Sequence, residues 1–355
     1  MLKVRAIVLL LVGVLVAQLA PWALANSAGG VPPAADIILN GNQIINMLPD
    51  VLAFWDAAQG KRLSHQRALW TRTIETKYKD YFERAVYRGA DQDTRMAILD
   101  AFLTQLPAKI GQIRQFASQA PEAIVDAMID FKARFLHYTQ QRDIYLGVSL
   151  SMFDGSVKPV GNEFGVPDTL CLAADVLASY SPDQLKILFV HEMFHLYNFD
   201  FLFAGVYKQY NVGLVFDQEV MNRLVASYIP LTVEGMAVEA SEEIYPGRPL
   251  TMYLHYTDQQ LSDQQDEIVQ NAQDFLEMIK MGALPYQYDR WFNGTYDGIP
   301  RRGGYLLGYE VTKHALESSN LEMMMRKSPE QLGELAVTEL STMIGEKVIL
   351  MATDR

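Results

Sequence analysis

At 355 residues, with 50% hydrophobic, 20% charged and 11% aromatic side chains, the chain has a globular composition that excludes a disordered, collagen-like or polytopic membrane protein. Its net charge of −12 comes without any Lys/Arg run long enough to neutralise a series of phosphates, so nucleic acid is excluded as a partner. The single cysteine, Cys171, excludes an intrachain disulfide and cysteine-based zinc or iron–sulfur sites.

Residues 1–25 have the order of a secretory signal: Lys3 and Arg5, an apolar run from Ala6 to Ala17, then Ala23-Leu24-Ala25 as the small-x-small cleavage site. The expected mature chain begins at Asn26, is exported to the periplasm or beyond, and has no later stretch apolar enough to span a bilayer. Without disulfides its core alone must hold it together, which suits a bacterial periplasm.

Residues 26–141 are expected to be a helical region without strands. Apolar residues recur there at helical spacing, with stops at Pro49, Gly60, Gly89, Pro107 and Pro121. Ser64, Asp93 and Pro121 are the expected starts of three helices, whose Met and aromatic stripes suit a core better than a cofactor site. Residues 142–355 are expected to form a second, mixed region. The period changes at Ile144–Leu150 and Thr169–Ala173, which read as short strands separated by Gly and Pro turns. Helical patterning resumes at Ser181 and continues, broken near Pro230, Pro246, Pro249 and Pro285, to the C-terminus. The expected fold class is therefore α+β, mostly α, with a small central sheet.

With Ser181 as cap and Pro182 at the first position, a helix carries His191-Glu192-Met193-Phe194-His195. Histidines at i and i+4 lie about 6 Å apart on one face, close enough for two imidazoles to share one Zn²⁺, and Glu192 is turned beside them where it can take a proton from water. From Ile187 to Tyr197 every other residue is apolar or aromatic, so the helix is buried, and two imidazoles and a carboxylate buried without partners would cost several kcal/mol. A metal satisfies all three. Among the later acids Asp200, Asp217, Glu219, Glu234, Glu239, Glu242 and Glu243, the preferred third ligand is Glu234, in an apolar helix where Gly235 and Ala237 allow close approach to the first. Glu239 falls on another face, and Glu219 suits a solvated helix start.

His191-Glu192-x-x-His195 followed by Glu234-Gly235-x-Ala237 resembles the gluzincin zinc metallopeptidases, especially bacterial proteins classed as predicted zinc proteases. The resemblance implies a zincin-like domain, a peptide or protein substrate, and a substrate-aligning edge strand at Thr169–Ala173. It also implies that the Gly303-Gly304-Tyr305 helix brings a tyrosine toward the zinc as oxyanion donor, Tyr305 in preference to Tyr309. Arg301 and Arg302, just before it, are expected to be solvated rather than bound to a substrate carboxylate. His65, His137, His255 and His314 are expected to be structural or superficial, Cys171 an inert buried thiol, and Asn293-Gly294-Thr295 a turn rather than a glycosylation site. The alternatives are a zinc hydrolase of non-peptide substrates, a helical binding or chaperone-like protein with a structural zinc, and a self-inhibited protease covered by its helical region; an intact Glu192 argues against a merely structural site.

Overall fold

The computed structural model describes residues 37–39, 42–139, 141–161, 166–210, 229–281, 291–292 and 302–353. They fall into two compact units, one up to Phe189 and one from Val190 on. The architecture is α+β and mostly α. The signal segment, Asp217, Glu219, Pro285, Asn293 and Arg301 lie outside the described residues.

The first unit holds a five-stranded sheet ordered β1-β2-β3-β5-β4. Its strands are β1 (Ile37–Leu39), β2 (Asn42–Asn46), β3 (Ile144–Gly147), β4 (Gly155–Lys158) and β5 (Thr169–Ala173). β2 runs parallel to β3 and β3 parallel to β5, while β1 and β4 pair antiparallel to their neighbours. This corrects the strand-free reading of the N-terminal region. β1 and β2 are too short to show a period of two, yet a parallel β2–β3 pair requires a long crossover between them. The segment expected to be a separate helical region is that crossover, so the sheet spans the boundary expected at residue 141. A second correction concerns β5, which lies between β3 and β4 with all five residues buried, so the edge strand is β4.

The crossover consists of α1 (Leu48–Ala58), α2 (Leu63–Trp70), a π-helical turn, α3 (Lys79–Tyr81), a second π turn and α4 (Gln92–Arg134). α2 starts after Arg62 without a side-chain cap, so Ser64 lies inside the helix. Asp91, not Asp93, caps α4 by accepting from the Thr94 amide at 2.8 Å. Pro107 and Pro121 do not end α4 but lie within it. An internal proline costs about 3 kcal/mol. Each of Leu99, Phe102, Leu106, Ile113, Phe116, Ile124 and Phe131 is buried along the same helix, at roughly 1.5–3 kcal/mol apiece, so packing outweighs both breaks. Trp70 anchors this core against Phe54, Phe82 and Phe102, with ring centroids at 4.9, 5.8 and 5.3 Å.

Two further helices follow the sheet, α5 (Ala174–Leu177) and α6 (Pro182–Tyr210), the latter continuing past Val190 into the second unit. The Ser181 hydroxyl accepts from the Gln184 amide at 3.2 Å, and the Gln184 side chain accepts from the Ser181 amide at 3.0 Å, a reciprocal capping box that sets where α6 begins. The second unit adds α7 (Ile229–Ile244), α8 (Leu250–Leu254), α9 (Asp258–Asp266), α10 (Ile268–Lys280), α11 (Gly303–Leu316), α12 (Leu321–Met325) and α13 (Pro329–Thr353).

Candidate metal centre

Every residue of α6 from Ile187 to Asn198 is buried, so the polar groups of His191, Glu192 and His195 cannot be satisfied by bulk water. α7 is as apolar, and Glu234 sits in it at 6% exposure. The structure brings the first three functional atoms together. His191 Nε2 lies 3.0 Å from His195 Nε2, and Glu234 Oε2 lies 3.2 Å from each.

A near-equilateral triangle of three acceptor-type atoms is not a hydrogen-bond arrangement, since each ring N–H can point at only one partner. It matches the face of a ligand tetrahedron: donors about 2.0–2.1 Å from zinc are separated by about 3.3 Å. Among the described residues this is the only group of three or more His, Cys, Asp or Glu able to hold a metal ion. The Nδ1 atoms of both histidines are buried without a hydrogen-bond partner. Ligand nitrogens must be unprotonated, so Nδ1 carries the proton and the Nε2 lone pairs face the shared centre. His191, His195 and Glu234 thus fit a zinc ion.

The electrostatics agree that the cluster wants one cation. Burial pushes His191 down to about 4, despite the Glu234 carboxylate beside it. Burial acts in the same sense on His195, but Glu234 and then Glu192 outweigh it and raise it. Glu234 itself is held well below the usual carboxylate range, because the two imidazoles overcome its desolvation. Glu192, at 6% exposure, is close enough to act on both His195 and Tyr305.

α11 is set against α7 by two glycines. A Cβ on Gly235 would lie 2.0 Å from the Gly308 carbonyl oxygen, and one on Gly308 would lie 2.3 Å from that of Leu231. Backbone thus meets backbone, which only glycine allows. Gly235 was expected to admit the histidine helix; the close contact is with α11 instead, because the facing residue there is also glycine. The contact places Tyr305 at the cluster, its ring centroid 6.4 Å from that of His191. Burial, and then Glu234, raise the Tyr305 phenol so that it keeps its proton. Tyr309 is engaged elsewhere: its hydroxyl donates to Glu242 at 2.5 Å and accepts from Lys313 at 3.0 Å.

Three other expectations meet the structure here. Glu239 is on the face of α7 near Glu242, Lys313 and Glu310, away from the cluster, and burial followed by Glu242 raises it to about 7. Arg302 is half-buried rather than freely solvated: its guanidinium carbon stacks 4.2 Å from the Tyr305 ring centroid. His255, expected to be structural or superficial, lies near enough to His191 and Arg302 to feel both charges. No ligand spacing marks either residue, since their approach depends on tertiary structure. His314 is structural as expected, with Nδ1 2.6 Å from Glu339 Oε2.

Comparison with known proteins adds one finding. The sequence model of a family described as predicted Zn-dependent protease (DUF2268) matches residues 218–333. The match takes in Glu234, Arg302, Tyr305 and Tyr309, and begins after His191 and His195. No curated protein and no solved structure matches the chain.

Proposed function

We propose that the chain is a zinc-dependent metallopeptidase whose zinc ligands are His191, His195 and Glu234. The observation that carries this reading is the buried triangle of 3.0–3.2 Å edges with Glu192 alongside. When bound, zinc supplies Lewis-acid polarisation of a carbonyl and lowers the pKa of water. Glu192 is the base that removes a proton from the attacking water and then returns it to the leaving amine. Tyr305, protonated at neutral pH, donates a hydrogen bond to the oxygen on which negative charge develops. The family described as a predicted Zn-dependent protease supports a protein or peptide substrate. We also propose export, from the order of charged, apolar and small residues in the first 25 positions; N-terminal sequencing of the mature protein should begin at Asn26. Among the described residues no helix is long and apolar enough to cross a membrane.

The test is metal analysis with digestion of a peptide library, run beside Glu192→Gln. The variant should retain about one zinc per chain and its fold while losing hydrolysis, because an amide keeps the carboxylate's size and cannot accept the proton. Zinc retained with no peptide hydrolysis by the unaltered protein would shift the reading to a structural zinc or a non-peptide substrate. Cleavage unchanged in Glu192→Gln would remove the base assignment.

A further inference from the structure

Asn198 is fully buried in α6, and neither atom of its amide has a hydrogen-bond partner. Among the described residues no other asparagine or glutamine leaves a buried amide atom unpaired. Buried polar side chains are paired in the large majority of cases, so an exception calls for a physical reason. Leucine is of similar size and would fill the position without leaving a donor and an acceptor unpaired.

The place of Asn198 on the helix supplies a reason. It follows His191 by seven residues, so it lies within about 20° of that histidine around the axis, and it follows His195 by three. Side chains at i and i+3 are neighbours, with Cβ atoms about 5–6 Å apart. Helical side chains lean toward the N-terminus, which turns the Asn198 amide back toward the His195 ring. The other three residues of α6 that adjoin His195 have other work. His191 shares Glu234 Oε2 with it, Glu192 is the base of the reading above, and Phe199 stacks on the ring with centroids 5.7 Å apart and planes at 17°. Phenylalanine offers no acceptor to an N–H that points along the ring plane.

His195 Nδ1 is the atom that needs one, since it is buried without a hydrogen-bond partner. With Nε2 directed at the shared centre, 3.2 Å from Glu234 Oε2, the ring proton belongs on Nδ1. A metal-bound imidazole almost always donates that proton to a neighbouring oxygen, which fixes the ring and raises its basicity. We propose that Asn198 is a positioning residue whose Oδ1 accepts the Nδ1–H of His195, directly or through one water, and so holds the imidazole toward the metal. The terminal torsion of asparagine is broad, which lets the amide turn its oxygen to the ring. The inference rests on the zinc ligands proposed above and not on peptidase activity.

The test uses the full mature chain and reads metal rather than turnover. Zinc affinity is measured by competition with a chromogenic chelator, and the zinc-loaded protein, grown with isotope-labelled histidine, is observed by NMR. Asn198→Leu should weaken zinc binding by about 10–100-fold. Zinc loading should bring out two slowly exchanging Nδ1–H signals, one for each ligand histidine, and Asn198→Leu should move or remove one and leave the other. An asparagine that merely packs would alter the stability of the metal-free chain without selecting one imidazole signal. Asn198→Asp keeps the acceptor and adds charge, so it should bind zinc at least as tightly and move the same signal further downfield; it decides the matter if the Leu variant does not fold. Unchanged affinity in Asn198→Leu, both signals left in place, or no shift in Asn198→Asp would overturn the proposal. Failure of the zinc reading looks different: the unaltered protein would bind no zinc and show neither signal.

Discussion

Tyr305 and Tyr309 lie one helical turn apart on α11, and their partners assign them different work. The Tyr309 hydroxyl is committed to Glu242 and Lys313, whereas Tyr305 faces His191. Tyr305→Phe removes only a hydroxyl. If that group stabilises the developing oxyanion, kcat should fall by roughly ten to a thousandfold, about 1.4–4 kcal/mol, with zinc content and KM little changed. Tyr309→Phe should leave kcat within about twofold and instead lower stability by about 1 kcal/mol, the ordinary worth of a hydrogen bond. Steady-state kinetics and denaturation of the two variants check both halves. At this scale the histidine pair was legible because its geometry is local: i and i+4 on a helix fix the separation without any knowledge of the fold. Glu234 was legible for a different reason, a lone carboxylate in an apolar helix. Arg302 and His255 were not legible, because both reach the cluster through left-handed turns that spacing does not encode.

Between elements, the crossing of α7 with α11 determines where Glu234 and Tyr305 meet. Gly235→Ala sets a methyl group 2.0 Å from a carbonyl oxygen, and Gly308→Ala sets one at 2.3 Å, so backbone must move in either case. Each should cost about 1–3 kcal/mol or more and lower zinc occupancy, read by denaturation with metal analysis. Gly345→Ala is the matched control: an exposed helical glycine with nothing within 4 Å of the added Cβ, where alanine should stabilise by about 0.5–1 kcal/mol. Away from the metal, α7 carries a pH-sensitive group. Burial and then Glu242 raise Glu239 to about 7, above its unfolded value. The folded state therefore holds the extra proton, and this group's stabilisation, complete below the unfolded pKa, is lost as pH rises through about 7. Glu239→Gln should match the unaltered protein at about pH 4 and below and exceed it at pH 8, by about 1–2 kcal/mol after allowance for solvent screening. Equal pH profiles in thermal melts would refute this. The helix boundaries show where local signals lose to packing: Pro107 and Pro121 read as stops, yet the buried stripe of α4 runs through both.

For the whole molecule, all three proposed zinc ligands belong to the unit that begins at Val190. Chelation should therefore remove hydrogen-exchange protection chiefly from α7 and the part of α6 beyond Val190. Restoring free zinc to a thousandfold above Kd should return about 4 kcal/mol of stability. Protection lost equally in α4 would contradict the assignment of the metal to that unit. The sheet was the least legible part of the fold. β3 and β5 announced themselves as apolar runs between turns, but β1, β2 and β4 have three to five residues each and acquire meaning only from the strands beside them. The pairing of β2 with β3 also has a consequence in time. Ile44 waits for Ile144, 100 positions later in the chain. At a synthesis rate of about 5–20 residues per second, the first half of that pair emerges roughly 5–20 s before the second. During that interval the sheet cannot close, and the crossover helices have no completed surface to pack on. For a chain that we propose is exported, such a delay leaves the sheet unclosed until the residues around Ile144 have been made.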